Sequence, residues 1–334
     1  MLFRRYPALF WTFLTCVLGA VTLLSLTWKV AVPFSDLWNS DLGARDIARQ
    51  IFWEIRPIRV VAALLVGASL SVSGAGLQSL FRNPLAEPYL LGISAGGALG
   101  ATVAAALRLP SWNGLDAGSF LAFAGALGAA ATVYAMGQNR NDGFSFSSDR
   151  SRLLLCGVAL SAWLSAVMSL VVAVSGRLDL AQQITFWLLG GLTRSSWAQN
   201  GLLFFSLVVG VALLGSCARD LNALRAGEEE AAALGVEIAS LHRKILIAAS
   251  LMSAASVASA GLIGFVGLLA PHMMRLLGGR DARVLLPGAA MLGAILLCLC
   301  DTLARSLCPP IELPVGIITA LLGVPLFLFL ARKS

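Results

Sequence analysis

Along this chain, apolar runs of membrane-spanning length alternate with short polar connections. A helix needs about 20 apolar residues to cross the hydrocarbon core at 1.5 Å per residue. Runs over 8–28, 58–81, 89–107, 118–137, 153–175, 200–217, 245–260, 285–304 and 314–331 meet or approach that length. After the seventh comes Gly261-Leu262-Ile263-Gly264-Phe265-Val266-Gly267-Leu268-Leu269-Ala270-Pro271, too short to cross alone. It reads as a half-span that follows a turn near Gly261 and ends at the proline. The pattern predicts an all-α, polytopic membrane protein with about ten transmembrane helices, one of them a half-span. A single transmembrane domain covers residues 1–334.

Three connections carry more than a turn. The segment from Gly76 to Pro88 is polar and twice broken by proline, at Pro84 and Pro88. Irregular backbone at membrane depth is tolerated only where protein buries it or where it lines a wet cavity. This segment is therefore expected beside a path through the membrane. In the outer loop 176–197, Asp179 to Leu189 has the length of a surface helix. In the inner loop 218–244, alanine and glutamate favour a helix beginning near Glu228. Glu228, Glu229 and Glu230 occupy its first turn and Gly235 suits its end.

Composition supports the membrane reading. The chain is 58% hydrophobic and 12% charged, whereas soluble domains are about a quarter charged. Its net charge of +7 comes from basic residues scattered singly between apolar runs, which excludes a nucleic-acid surface. Most of the 24 lysines and arginines fall on the side of the termini. The positive-inside rule then makes both termini cytoplasmic. Trp28, Trp38, Trp53, Trp112, Trp187 and Trp197 fall near the opposite face and read as an interfacial belt. Arg4 and Arg5 precede an apolar run too long for the core of a cleaved signal, so it reads as an uncleaved first span. The six cysteines lie mostly in or beside apolar runs and read as small hydrophobes.

Gly92, Gly96 and Gly100 recur every four residues, a spacing that lets helices pack closely in lipid. Gly92-Ile93-Ser94-Ala95-Gly96 also matches a hydrolase nucleophile elbow. That motif needs a strand, a sharp turn and a histidine partner, and here it begins a membrane helix. No G-x-x-x-x-G-K-[ST] is present, so any ATP that drives this protein is bound by another chain. No tight cluster of His, Cys or carboxylates suggests a metal or cofactor held here, which favours a bulky chelate over a bare ion as cargo. Arg56, Arg59 and Arg305 are expected near the outer mouth, where guanidinium forks suit carboxylates. A secondary transporter of a small solute is the alternative reading. It would want ionisable groups at mid-membrane, and Asp301 is the nearest candidate.

Ordered motifs from Arg56 to the C-terminus point one way. They include Arg82-Asn83-Pro84-Leu85-Ala86-Glu87-Pro88 with Leu91-Gly92-Ile93-Ser94, Arg152-Leu153-Leu154-Leu155, Phe186-Trp187-Leu188-Leu189-Gly190-Gly191 and Ala233-Leu234-Gly235-Val236. Further on come Gly264-Phe265-Val266-Gly267-Leu268, Pro271-His272, and Glu312-Leu313-Pro314-Val315-Gly316. With these the chain resembles the permease subunits of ATP-binding-cassette importers for vitamin B12, ferric siderophores and haem. The resemblance implies a paired permease, most simply a homodimer, in the bacterial cytoplasmic (inner) membrane. It implies two cytoplasmic ATPase subunits and an extracytoplasmic binding protein that delivers the cargo. It places binding-protein docking on Arg56, Arg59 and Arg305. It places ATPase coupling on Glu228, Glu229, Glu230, Ala233, Leu234 and Gly235, and a narrowing of the cytoplasmic mouth on Asn83, Leu85 and Ser151. One departure is that the family usually has proline directly before the second arginine, where this chain reads Arg56-Pro57-Ile58-Arg59.

Overall fold

A computed structural model describes residues 7–28, 46, 49–110, 116–137, 146–308 and 311–331. The helices are α1 (Pro7–Thr27), α2 (Arg56–Leu80), α3 (Ile93–Ala106), α4 (Ala117–Gly137), α5 (Phe146–Ser175), α6 (Leu178–Leu188) and α7 (Trp197–Ser216). Then follow α8 (Ala218–Leu224), α9 (Glu228–Ala233), α10 (Ile238–Ala260), α11 (Val266–Leu276), α12 (Ala282–Ser306) and α13 (Val315–Ala331). The described residues contain no strand. Seven helices, α1, α2, α4, α5, α7, α10 and α12, are long and apolar enough to cross a membrane; α3 and α13 are shorter apolar helices. The half-span is α11, of 11 residues.

Helices α2 and α10 form the buried centre, and α1 and α5 expose most of their surface. Small and hydroxyl side chains let α2 occupy that position. A Cβ at Gly67 would come 2.3 Å from the Gly293 carbonyl oxygen on α12, and one at Gly74 would come 2.0 Å from that of Gly267 on α11. Ser73 donates to the Ala249 carbonyl (3.1 Å) and shares a 2.7 Å bond with Ser253, both on α10. Between helices in lipid, such close contacts and interhelical hydrogen bonds supply the association that hydrophobicity cannot.

Several boundaries differ from the sequence pattern for local reasons. The apolar run 89–107 is not one helix. Residues Pro88–Leu91 form a 3₁₀ turn, Gly92 is left-handed (φ +75°), and α3 begins only at Ile93. Helix α10 starts at Ile238, about two turns before its apolar run, so that His242, Arg243 and Lys244 lie within the helix. Helix α8 was not anticipated inside the 218–244 loop. Its Asn222 side chain accepts from the Ala282 N–H (2.8 Å) and braces that loop on the start of α12. The half-span does not end at its proline: α11 runs from Val266 through Pro271 to Leu276. The surface helix expected from Asp179 to Leu189 is α6, with Leu180 and Ile184 buried beneath it.

The cysteines are all free: Cys217, Cys298 and Cys300 are buried, while Cys16 and Cys308 are exposed. Trp28, Trp53 and Trp197 are exposed and Trp187 is partly buried. Trp38 and Trp112, and the two termini, lie outside the described residues.

Candidate functional site

The site is a break in the middle of the bundle onto which two irregular connections fold. Helix α10 ends at Ala260, Gly261 has a positive φ (+67°) that suits glycine, and Phe265 is left-handed (φ +68°). For a bulky residue that conformation costs roughly 1–2 kcal/mol, so its surroundings must hold it. They do. The Phe265 N–H donates to Glu87 Oε1 at 2.8 Å. The Tyr89 hydroxyl donates to the Ile263 carbonyl (2.9 Å) and accepts from the Ile263 N–H (3.1 Å). From the opposite end of the bundle, the Gly191 N–H donates to the Ala260 carbonyl (2.8 Å). There the Gly190 backbone lies so close to Leu262 that a Cβ would meet its carbonyl oxygen at 2.1 Å.

Pro271 explains a second contact. Lacking an N–H, it leaves the carbonyl of Gly267, four residues back, without its helical donor. The buried Gln78 amide of α2 donates to that carbonyl at 3.2 Å, and the Gln78 oxygen accepts from Arg275. The orphaned carbonyl was a signal available in the sequence. The partners Glu87, Tyr89 and Gln78 were not, because they lie far away along the chain.

The connection that carries Glu87 is shaped by Asn83, whose side-chain oxygen accepts from the Leu85 N–H (2.9 Å). Asn83 and Leu85 are exposed, as is Ser151 on α5. Among the described residues no hydrogen bond joins Ser151 to the other two. Gly96 and Gly100 lie at the crossing of α3 and α4, where a Cβ would come 2.3 Å from the Gly125 oxygen and 2.0 Å from the Leu121 oxygen. Gly92 belongs to the turn before α3, with nothing nearer than 3.5 Å to a Cβ there.

At one end of the bundle the three arginines converge, and the chain already pairs them. Arg59 donates to Asp301 Oδ1 (2.9 Å) and to Glu312 Oε2 (2.6 Å). Arg305 forms an ion pair with Asp301 Oδ2 (3.1 Å) and donates to the Ser25 hydroxyl (2.8 Å). Arg56 donates to the Leu26 carbonyl (2.6 Å) and sits over the Phe52 ring. Arg56 and Arg59 are buried, Asp301 is fully buried, and the Glu312 side chain is 47% exposed. Asp301 is thus the counter-ion of two arginines, and Arg305, one turn later on α12, was its sequence signature. A cavity of about 650 Å³ opens beside this cluster, lined by Arg59, Gln182, Gln183, Trp187, Ser259 and Glu312 among others.

At the other end lies α9. Its C-terminus is closed by two reverse bonds, Gly235 N–H to the Ala232 carbonyl (2.9 Å) and Val236 N–H to the Ala231 carbonyl (3.0 Å). That closure needs a left-handed residue, and Gly235 supplies it at φ +84°. Ala231 is buried, whereas Glu229, Glu230, Ala233, Leu234 and Gly235 are exposed. Glu228 is half-buried and pairs with the buried His242 of α10 at 3.5 Å. Among the described residues, no group of three or more His, Cys, Asp or Glu could hold a metal ion.

A helical bundle of repeated crossings, with a half-span turning back inside it and polar connections folded onto the break, defines a multi-pass transport permease. The chain belongs to the FecCD transport family, whose model matches residues 14–333. It is 43% identical over 316 residues to a cobalamin import system permease of Halobacterium salinarum, across 95% of this chain and 81% of that one. It is 38% identical over 335 residues to the hemin transport system permease of Yersinia pestis, across 99% and 97%. Among solved structures, it matches an inward-facing transporter described as of the metal-chelate ABC type. That match has TM-score 0.84 and 34% identity, covering 98% of this chain and all of the other. The PsaBC structure from Streptococcus pneumoniae shares the fold at TM-score 0.58 and 16% identity.

Proposed function

We propose that this chain is one of two permease subunits in an importer that carries a bulky metal chelate, with cobalamin and haem the leading cargoes. The observation that carries this reading is similarity over nearly the whole chain to permeases named for cobalamin and hemin import. Ferric siderophores share the relevant chemistry, a metal ion already wrapped in ligand. Two ATPase subunits supply the energy, since no phosphate-binding loop lies in this sequence. The membrane is the cytoplasmic one, with both termini in the cytoplasm.

Each part of the bundle then has a role. Arg56, Arg59 and Arg305 receive carboxylates of an extracytoplasmic binding protein, and half-exposed Glu312 holds the place of one such carboxylate on Arg59 meanwhile. Exposed Leu234 and the acids beside it seat α9 on the ATPase, while Glu228 and His242 tie α9 to α10. The break at 261–265 is where α10 and α11 change their relative angle. Asn83, Leu85 and Ser151 line the cytoplasmic mouth.

The test is reconstitution with the ATPase and binding protein in vesicles, followed by uptake of labelled cyanocobalamin, haem and a ferric hydroxamate. ATP-dependent uptake of one of these supports the reading. Uptake driven by an ion gradient without ATP would replace it with a secondary transporter. Asp301, the acid nearest to that alternative, is the counter-ion of Arg59 and Arg305.

A further inference from the structure

A second large cavity lies between α4, α5 and α10, with Leu91 of the turn before α3 in its wall. Its volume is about 480 Å³. Its walls are mostly apolar, built from Leu127, Ala130, Leu153, Leu246, Ile247 and Leu251, with the Ser250 hydroxyl among them. Two polar groups share one end of it, Arg243 on α10 and Tyr134 on α4. Helix α10 runs away from that end, so Arg243 and Leu251 are about 12 Å apart at 1.5 Å per residue. On α4 the order is reversed, with Tyr134 beside Arg243 and Leu127 deeper. The groove is therefore amphipathic along its length, with a cation at the mouth and hydrocarbon within.

Arg243 is exposed, and among the described residues no hydrogen bond or ion pair engages its guanidinium. Some charged side chains of this chain are held by local partners, as Arg225 is by the Arg280 carbonyl and Arg177 by Asp179. The free guanidinium stands at the end of the bundle where α8 and α9 lie, since α9 pairs with the residue preceding Arg243. Arg152, also exposed, directly precedes Leu153 of the groove wall. This is the geometry of a lipid: an acyl chain needs a dry slot open to the bilayer, and a phosphate needs an unpaired cation at headgroup level. Tyr134 suits the same level, with an apolar ring and a polar tip.

We propose that the α4–α5–α10 groove binds an anionic phospholipid, with an acyl chain between Leu127 and Leu251 and the phosphate on Arg243. Bound there, the lipid wedges the α4–α5 pair against α10, the helix that ends at the central break. The site is independent of which chelate is carried.

The test uses the full permease assembly in nanodiscs of equal phosphatidylglycerol and phosphatidylcholine, released into native mass spectrometry. Wild type is expected to retain phosphatidylglycerol preferentially. One basic residue at a membrane surface is worth about fivefold in binding an anionic lipid, so R243Q should lower that preference by about fivefold and R243K should keep it. Ala131 also lines the groove and is exposed, so A131W should fill the slot and expel the lipid without disturbing the core. F13W, on the exposed face of α1, should change nothing. Equal retention of both lipids by wild type would overturn the proposal. So would undiminished phosphatidylglycerol in R243Q and A131W. Loss of permease pairing in A131W with lipid unchanged would assign the groove to a second copy of this chain instead.

Discussion

The Glu87 carboxylate accepts the backbone N–H of Phe265 at 2.8 Å, joining positions 178 residues apart in the chain. One partner sits in a proline-broken connection and the other holds a left-handed backbone between two helices. Removing an acceptor from such a part-buried donor costs about 1–3 kcal/mol. Glu87→Ala should therefore lower the thermal midpoint of the purified permease and reduce uptake. Glu87→Gln keeps an oxygen in place and should recover most of both. Identical melting of the alanine variant and wild type would show that the bond does not hold the break.

The arginine cluster changes how docking must be tested. Reversing Arg59 to glutamate would set a third acid against Glu312 and buried Asp301 and leave Asp301 with Arg305 alone, and breaking a buried pair in this way costs about 3–5 kcal/mol. That variant is expected to misfold, as is one with all three arginines reversed. Glu312→Gln is the informative change, because it frees one arm of Arg59 and leaves Asp301 paired. Binding-protein affinity should rise and become more salt-sensitive. Unchanged affinity and salt dependence would remove Arg59 from the docking surface.

Gly235 stands in open space, so size is not its constraint; its φ of +84° is. Gly235→Val should disrupt the end of α9 at a cost of roughly 1–2 kcal/mol. Gly235→Asn, which tolerates the left-handed region, should not. The valine variant is expected to lower uptake per ATP hydrolysed when both are measured in the same vesicles. Full coupling in both variants would make this loop a plain connection.

At Gly96 and Gly100 the constraint is size. A methyl group would meet backbone oxygens of α4, which cannot swing aside as a side chain could. Gly96→Ala and Gly100→Ala should each destabilise by about 1–3 kcal/mol, read as a lower midpoint on heating. Gly128, with nothing near its Cβ position, is the control and should accept alanine freely.

The carboxylate of Asp281 caps α12. A hydrogen bond with Asn222, then the Arg283 N–H at 2.8 Å, hold its pKa below the ordinary aspartate value. Its contribution is therefore complete above about pH 4 and is lost as pH falls through the depressed value. Asp281→Ala should cost about 0.5–2 kcal/mol at pH 7. The gap between variant and wild type should close in acid, as thermal midpoints along a pH series would show.

Much of this architecture is legible along the chain because hydrocarbon imposes length and polarity on every crossing. The spans, the surface helix α6, the helix α9 and its glycine stop follow from local pattern and backbone chemistry. Pro88 and Gly92 even mark where the run 89–107 divides. Pairing is a different kind of information. Nothing in spacing says that Glu87 meets Phe265, that Gln78 satisfies the carbonyl left open by Pro271, or that Arg59 already holds Asp301 and Glu312. Those choices depend on which helices cross and at what depth. That is decided by glycine contacts such as Gly74 on Gly267 and Gly96 on Gly125, where two backbones touch. Local pattern governs what each segment can be in lipid; only the crossings determine which buried polar groups are left to satisfy one another.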